Sequence, residues 1–272
     1  EFLQYHYQKV NYTGYKATMQ RVALRYKDIG KPTEAIKVYV HIGEVSAAIS
    51  VADAFCYSIE GDWTIFSIWF RVLPDKELTC LLLSMRARMK WINQDYEGAL
   101  HDVNRALQKV DEATKASVYA TRALVCMRSS EEDHAIAWVA KSRNCSLIND
   151  DAKMMCYQVE VNYFLRKRDY AKAIVSIQSA LAFSEQIQRY SIRAALLSFL
   201  GLVFERMEDL AQAYSVYEEA ERVSAEVGDV HSCAMVVNNQ ASVLQQMGRY
   251  DVAVLKAKKA YELSTSVEYR YV

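Results

Sequence analysis

The chain has 272 residues, 52% of them hydrophobic, and its 33 lysines and arginines cancel its 33 aspartates and glutamates. That much apolar material excludes a disordered chain, and the lack of positive surplus argues against nucleic-acid binding through phosphates. With only 8 glycines and 2 prolines, turn chemistry is too scarce for a many-stranded sheet, and the composition points to an all-α protein.

Helical periodicity starts at Tyr15 and runs to Ile29, then from Lys31 to Ile42, from Val45 to Ile59 and from Trp63 to Phe70, with breaks at Gly30, Gly43 and Gly61. These four stretches make residues 1–75 an N-terminal helical lead-in. Over residues 76–272 the pattern predicts five helix pairs: 77–92 with 95–109, 112–128 with 131–146, 150–167 with 170–186, 190–207 with 209–227, and 230–247 with 250–266.

Each pair carries an alanine early in its second helix: Ala99, Ala135, Ala173, Ala213 and Ala253, spaced by 36, 38, 40 and 40 residues. Twelve residues before each stands Ala87, Ala123, Val161, Gly201 or Ala241. Small side chains at both places let two helices of a hairpin cross closely. Tyr96, Tyr170 and Tyr250 open second helices just after polar corners. The unit Asn238 to Leu244, Gly248 to Ala253, Ala257 and Ala260, and the one before it, with Leu200-Gly201 and Phe204, then Ala213, Tyr217 and Ala220, resemble the tetratricopeptide consensus. The three earlier pairs depart from it, placing Arg86, Arg122 and Glu160 where the consensus has an apolar residue. The expected fold is an all-α, right-handed superhelix (α-solenoid) of tetratricopeptide-like helix hairpins, somewhat longer than the usual ~34 residues per repeat.

The lead-in carries a second resemblance. Ala23 to Ile36, with Tyr26, Asp28, Gly30, Pro32, Glu34 and Ala35-Ile36, followed by Gly43 to Ala48, is similar to the start of the solenoid in large LuxR-type regulators related to the bacterial maltose activator. Trp69, Leu73, Pro74 and Leu78 resemble that family's W-x-x-x-L-P-x-x-x-L junction, and Glu1-Phe2-Leu3 resembles the end of a preceding winged helix. The resemblance implies a modular transcription regulator in which a nucleotide-binding module precedes this superhelix and a helix-turn-helix follows it. No G-x-x-x-x-G-K-[ST] phosphate loop occurs in the sequence, so the chain is expected to be an excised middle domain.

Catalytic and metal chemistry find no foothold. The five histidines, His6, His41, His101, His134 and His231, lack ligand spacing with one another or with cysteine. The six cysteines show no CxxC spacing and read as buried free thiols of a reducing cytoplasm. Glu131-Glu132 and Asp150-Asp151 sit at expected helix starts, where carboxylates favour the helix dipole. No signal peptide and no apolar run of ~20 residues is present. The protein is therefore expected to be cytoplasmic, to hold no cofactor and no metal, and not to be an enzyme.

Binding is the remaining function. Tetratricopeptide register puts Ser84, Arg88 and Trp91, then Ala120, Leu124 and Met127, then Gln158 and Asn162, then Ser198, Leu202 and Glu205, then Asn238, Ser242 and Gln245 along an inner groove. Arg88, Trp91, Gln158, Asn162, Ser198, Asn238, Ser242 and Gln245 are the candidate contacts, since side-chain amides grip peptide backbones and small polar ligands. The expected partner is a protein, a peptide or a small-molecule inducer, with no direct nucleic acid and no membrane, and self-association is allowed. The alternatives to a regulator's sensor are a constitutive tetratricopeptide adaptor and a peptide-pheromone receptor.

Overall fold

The computed structural model describes residues 11–58, 63–129 and 131–268. The expected break at Gly61 and the leading Glu1-Phe2-Leu3 lie outside the described residues, as does the tail from 269. Among the described residues there are fourteen α-helices and no strand. They fall into two compact units, residues 1–134 with 140–149 and residues 135–139 with 150–272.

The first unit holds α1 (Tyr12–Asp28), α2 (Pro32–His41), α3 (Val45–Phe55), α4 (Trp63–Val72), α5 (Cys80–Ile92), α6 (Tyr96–Gln108) and α7 (Lys115–Cys126). Gly30 and Gly43 adopt φ of +72° and +75°, so the backbone reverses there at little steric cost. Pro32 opens α2 with its φ already helical. The W-x-x-x-L-P-x-x-x-L stretch has a packing explanation: Trp69, Leu73 and Leu78 are all buried, and Pro74 starts the 3-10 turn Asp75–Glu77 between them. Trp69 also donates its indole N–H to Thr33 Oγ1 at 2.9 Å, tying α4 to α2, and Phe66 meets the Trp69 ring edge-on at 5.5 Å. One continuous core runs from Tyr15 to Val125.

Hairpin α5–α6 crosses on Ala87 and Ala99, neither with exposed surface. Arg86, the departure from the consensus, turns to Asp102 on α6 and holds it with Nε at 2.8 Å and Nη2 at 2.6 Å. Lys90 adds a third bond to the same carboxylate, at 2.8 Å. Burial alone would raise the Asp102 carboxyl pKa, but Arg86 and Lys90 outweigh it and hold the group below the usual carboxylate range. Arg122 behaves alike: it is buried and pairs with Glu131.

Helix α7 is the most enclosed element, with ten of its twelve residues buried. Its expected partner helix over 131–146 is shorter than predicted, a 3-10 turn Glu132–His134 followed by α8 (Ala135–Arg143). Glu131 turns back to Arg122 instead of opening the helix, which delays its start.

The second unit holds α9 (Asp150–Arg166), α10 (Tyr170–Gln186), α11 (Tyr190–Arg206), α12 (Leu210–Glu226), α13 (Val230–Gln246) and α14 (Tyr250–Glu268), five of them 17 residues long and the last 19. Their corners recur at a fixed interval, with positive φ at Arg168, Gln188, Glu208, Gly228 and Gly248. After each, an amide reaches back to close the helix: Asp169, Arg189, Asp209, Asp229 and Arg249 donate to Phe164, Ser184, Phe204, Ser224 and Leu244 carbonyls. Asp169, Asp209 and Asp229 then cap the next helix by accepting the amides of Lys172, Gln212 and Ser232, each cap being worth about 1 kcal/mol. Val161 with Ala173, Gly201 with Ala213, and Ala241 with Ala253 sit buried at the crossings, as their spacing predicted. At Gly201 the Tyr217 ring lies where a Cβ would go, 2.5 Å from it.

Candidate partner-binding groove

Helices α9, α11 and α13 bury Val161, Gly201 and Ala241 against their hairpin partners. The next position round each helix, one residue on, is less covered, and so is the position three residues earlier. Gln158 and Asn238 are exposed and Ser198 half-buried at one level. Asn162, Leu202 and Ser242 are half-buried a turn later, followed by half-buried Glu205 and exposed Gln245. Local bonds set some of these side chains: Asn162 donates to the Gln158 carbonyl at 2.8 Å, Ser198 to the Ala194 carbonyl at 2.9 Å, and Gln246 reaches Glu205 at 2.6 Å.

The α13–α14 hairpin shapes this stripe into clefts. One of about 420 Å³ is lined by Asn238, Ser242 and Gln245 on α13 and by Tyr250, Val254 and Ala257 on α14. A neighbour of about 370 Å³ continues along the same two helices past His231, Met235, Tyr261 and Ser264. Asn238 and Ala257 border both. The exposed apolar walls, with Tyr250, Val254 and Tyr261 each about two-thirds exposed (65%, 67% and 70%), and the amides between them suit a peptide, whose backbone needs hydrogen bonds and whose side chains need apolar contact. Asn162 and Leu202 face a separate cleft of about 470 Å³ beside the α9–α10 corner.

Sequence register named only first helices. Tyr250, Val254, Ala257 and Tyr261 belong to a second helix, and their spacing of four, three and four residues, which puts them on one face, was the available signal.

In the first unit the corresponding positions are drawn into packing. Ser84 donates to Thr121 Oγ1 at 2.7 Å in a buried contact, and Ala120, Leu124 and Met127 are buried. Arg88 is half-buried, its guanidinium 5.9 Å from the Trp63 ring centroid. Trp91 is half-buried too, and its indole N–H is enclosed without a hydrogen-bond partner among the described residues. These two lie in a different unit from the six candidates in α9, α11 and α13.

Among the described residues no three histidine, cysteine or acidic side chains gather as a metal ion would require. No helix among them is long and apolar enough to cross a membrane. All six cysteines are free thiols, five of them buried and Cys145 half-buried.

Residues 192–266, the span of α11 to α14, match the tetratricopeptide repeat family. No curated protein matches the chain. Among solved structures it is similar to a signal transduction ATPase with numerous domains (STAND) protein with a tetratricopeptide repeat sensor from Pyrococcus horikoshii, at 17% identity and a TM-score of 0.74 over 93% of this chain. The chain spans 41% of the length of that protein. It is also similar to a Rap protein complexed with Competence and Sporulation Factor, at 13% identity and a TM-score of 0.65, over 93% of this chain and 77% of that one. Aspartyl phosphate phosphatase F from Bacillus subtilis aligns comparably, at 13% identity and a TM-score of 0.64, over 93% and 75% of the two chains. Identities this low speak for the fold alone, and with the family match they make this an all-α solenoid of helix hairpins whose last two pairs are tetratricopeptide repeats.

Proposed function

We propose that this chain is the non-catalytic sensor and protein-interaction domain of a bacterial, cytoplasmic transcription regulator of the LuxR type, engaging an inducer or partner in the groove of its helix pairs. Residues 1–75 are its lead-in and residues 76–272 its five-pair array. The observation that carries the reading is the stripe of Gln158, Ser198 and Asn238 on successive first helices, ending in clefts where Asn238 stands between Tyr250, Val254 and Tyr261. The fold shared with a STAND protein that has a tetratricopeptide repeat sensor supports the sensor role. Sensing further requires that the ligand bind two arrangements of the full protein with different affinity.

Thermal unfolding against metabolites, nucleotides and short peptides tests the groove, because a ligand that binds only the folded state raises the midpoint by mass action. The expected result is a stabilising ligand whose effect is lost in Asn238→Ala and weakened in Gln158→Ala. A ligand that stabilises both variants as well as the parent would place binding elsewhere and overturn the assignment. A second reading, a constitutive peptide-holding adaptor, draws support from the likeness to a Rap protein complexed with Competence and Sporulation Factor. The reading frame separates the two: a phosphate-loop module upstream and a helix-turn-helix downstream accompany the regulator only.

A further inference from the structure

Helix α14 presents an apolar seam to solvent. Tyr250, Val254, Ala257 and Tyr261 are all exposed, and their spacing of four, three and four residues is that of a coiled-coil stripe. Contiguous exposed apolar surface marks an interaction face. The two flanks of the stripe differ. Ala253 and Ala260, one residue before Val254 and Tyr261, are buried, Ala260 in one core with Cys233 and Val237 of α13. Asp251 and Lys258, one residue after Tyr250 and Ala257, are exposed and opposite in charge.

Forty residues earlier, α12 places Leu210, Tyr214, Tyr217 and Glu221 at the same four positions. There α13 packs on the stripe: Tyr217 is buried in one core with Val236 and Val243, and Gln240 donates to the Tyr217 carbonyl at 3.0 Å and to Glu221 at 2.8 Å. The short corner between them makes α13 antiparallel to α12, so the stripe is a seat for an antiparallel helix. A second α14 fits that seat in shape and in charge. A two-fold axis between Leu255 and Lys256 sets Tyr250 opposite Tyr261 of the second copy and Val254 opposite its Ala257, each pairing occurring twice. On the exposed flank the same axis brings Asp251 beside Lys258 of the second copy, again twice, while the other flank stays with α13. We infer that this face of α14 docks a second copy of the chain as a two-fold symmetric, antiparallel dimer. Tyr250, Val254 and Tyr261 also border the clefts beside Asn238, so the dimer shields those clefts, but it forms without a ligand and does not depend on what the groove binds.

The test is sedimentation velocity of the 272-residue chain, with no ligand added, from about 1 to about 200 µM. One helix per subunit lies at the small end of stable interfaces, so a monomer–dimer transition is expected with a dissociation constant on the order of 10 µM. Val254→Glu, which puts a carboxylate against apolar surface at two places in the dimer, should leave the chain monomeric throughout. Asp251→Lys and Lys258→Asp should each weaken the dimer about tenfold by setting like charges together. An equimolar mixture of these two variants should recover the parent's dissociation constant, because the heterodimer restores both opposite-charge pairs. That recovery also excludes misfolding as the cause of the loss, and thermal unfolding at low concentration should show Val254→Glu as stable as the parent. A monomer at every concentration would give the face to a different partner and overturn the proposal. So would a dimer that survives Val254→Glu, or charge variants that weaken it without recovery on mixing.

Discussion

Hairpin α5–α6 closes its crossing with charge, and hairpin α11–α12 closes the same crossing with shape. Arg86 and Asp102 in the first stand at the positions of Leu200 and Val216 in the second, counted from the crossing alanines Ala99 and Ala213. In α5–α6 small alanines leave room for a buried carboxylate, which is tolerable only because Arg86 and Lys90 both bond it. In α11–α12 the Tyr217 ring fills the space left by a missing Cβ at Gly201, and the flanking residues are apolar. One repeat can therefore be held together by either route, but the two fail differently. Removing the Asp102 carboxylate takes from Lys90 its acid and leaves Arg86 with Asp75, whereas adding one methyl crowds a ring.

The largest effect should follow from Asp102→Ala, which leaves a hole beside Lys90 and holds Arg86 by Asp75 alone, at 2.7 Å. A loss of about 3–5 kcal/mol is expected in chemical denaturation. Importing the apolar solution, Arg86→Leu with Asp102→Val, should recover most of it, and a double variant as unstable as the single one would show that the charge pair is not the equivalent of Leu200 and Val216. Gly201→Ala comes next. Helix propensity favours alanine by about 1 kcal/mol, yet the Tyr217 ring must move, so a net loss of about 1–2 kcal/mol is expected; a gain in midpoint would mean that the ring yields freely.

Glu221 provides a pH test of the second unit. Its carboxylate takes Lys256 at 3.0 Å, Lys259 at 2.6 Å and Gln240 at 2.8 Å, joining α12, α13 and α14. Burial pushes its pKa up, but the bonds from Lys259, Lys256 and Gln240 more than compensate and bring it down to about 2, from 4.5. A depressed carboxyl stabilises the folded state above pH 4.5 and loses that contribution as pH falls toward about 2. Acid titration of unfolding should thus show a steeper loss over that interval for the parent than for Glu221→Gln, and parallel curves would show that the hub contributes nothing. The smallest effect is expected at a corner: Glu208→Gly, where φ is +63°, should stabilise by about half a kcal/mol, read as a small rise in midpoint.

The regular half of the fold was legible because its determinants are local. Alanine spacing fixed the crossings, and Gly30, Gly43 and the Gly248 ahead of Tyr250 marked breaks between helices. Arg86 and Arg122 read as departures from a consensus, because their partners Asp102 and Glu131 lie 16 and 9 residues away and nothing in periodicity links them. For the same reason the truncated α8 was expected to be a full helix. Register set the amides of α9 and α13 at exposed or half-buried positions, but it could not show that Ser84, Ala120 and Leu124 are covered, since burial depends on which hairpin packs on which.

The corners at 168, 188, 208, 228 and 248 fall every 20 residues, so any two alternate corners are separated by one complete hairpin. Excising residues 189–228, or duplicating them, would join a corner to a corner in phase, with the αL residue, the back-reaching amide and the cap all preserved. Genes encoding such an array can gain or lose a whole unit in a single recombination event without disturbing the junction chemistry, and the length of the array becomes a quantity that evolution adjusts in steps rather than by gradual substitution.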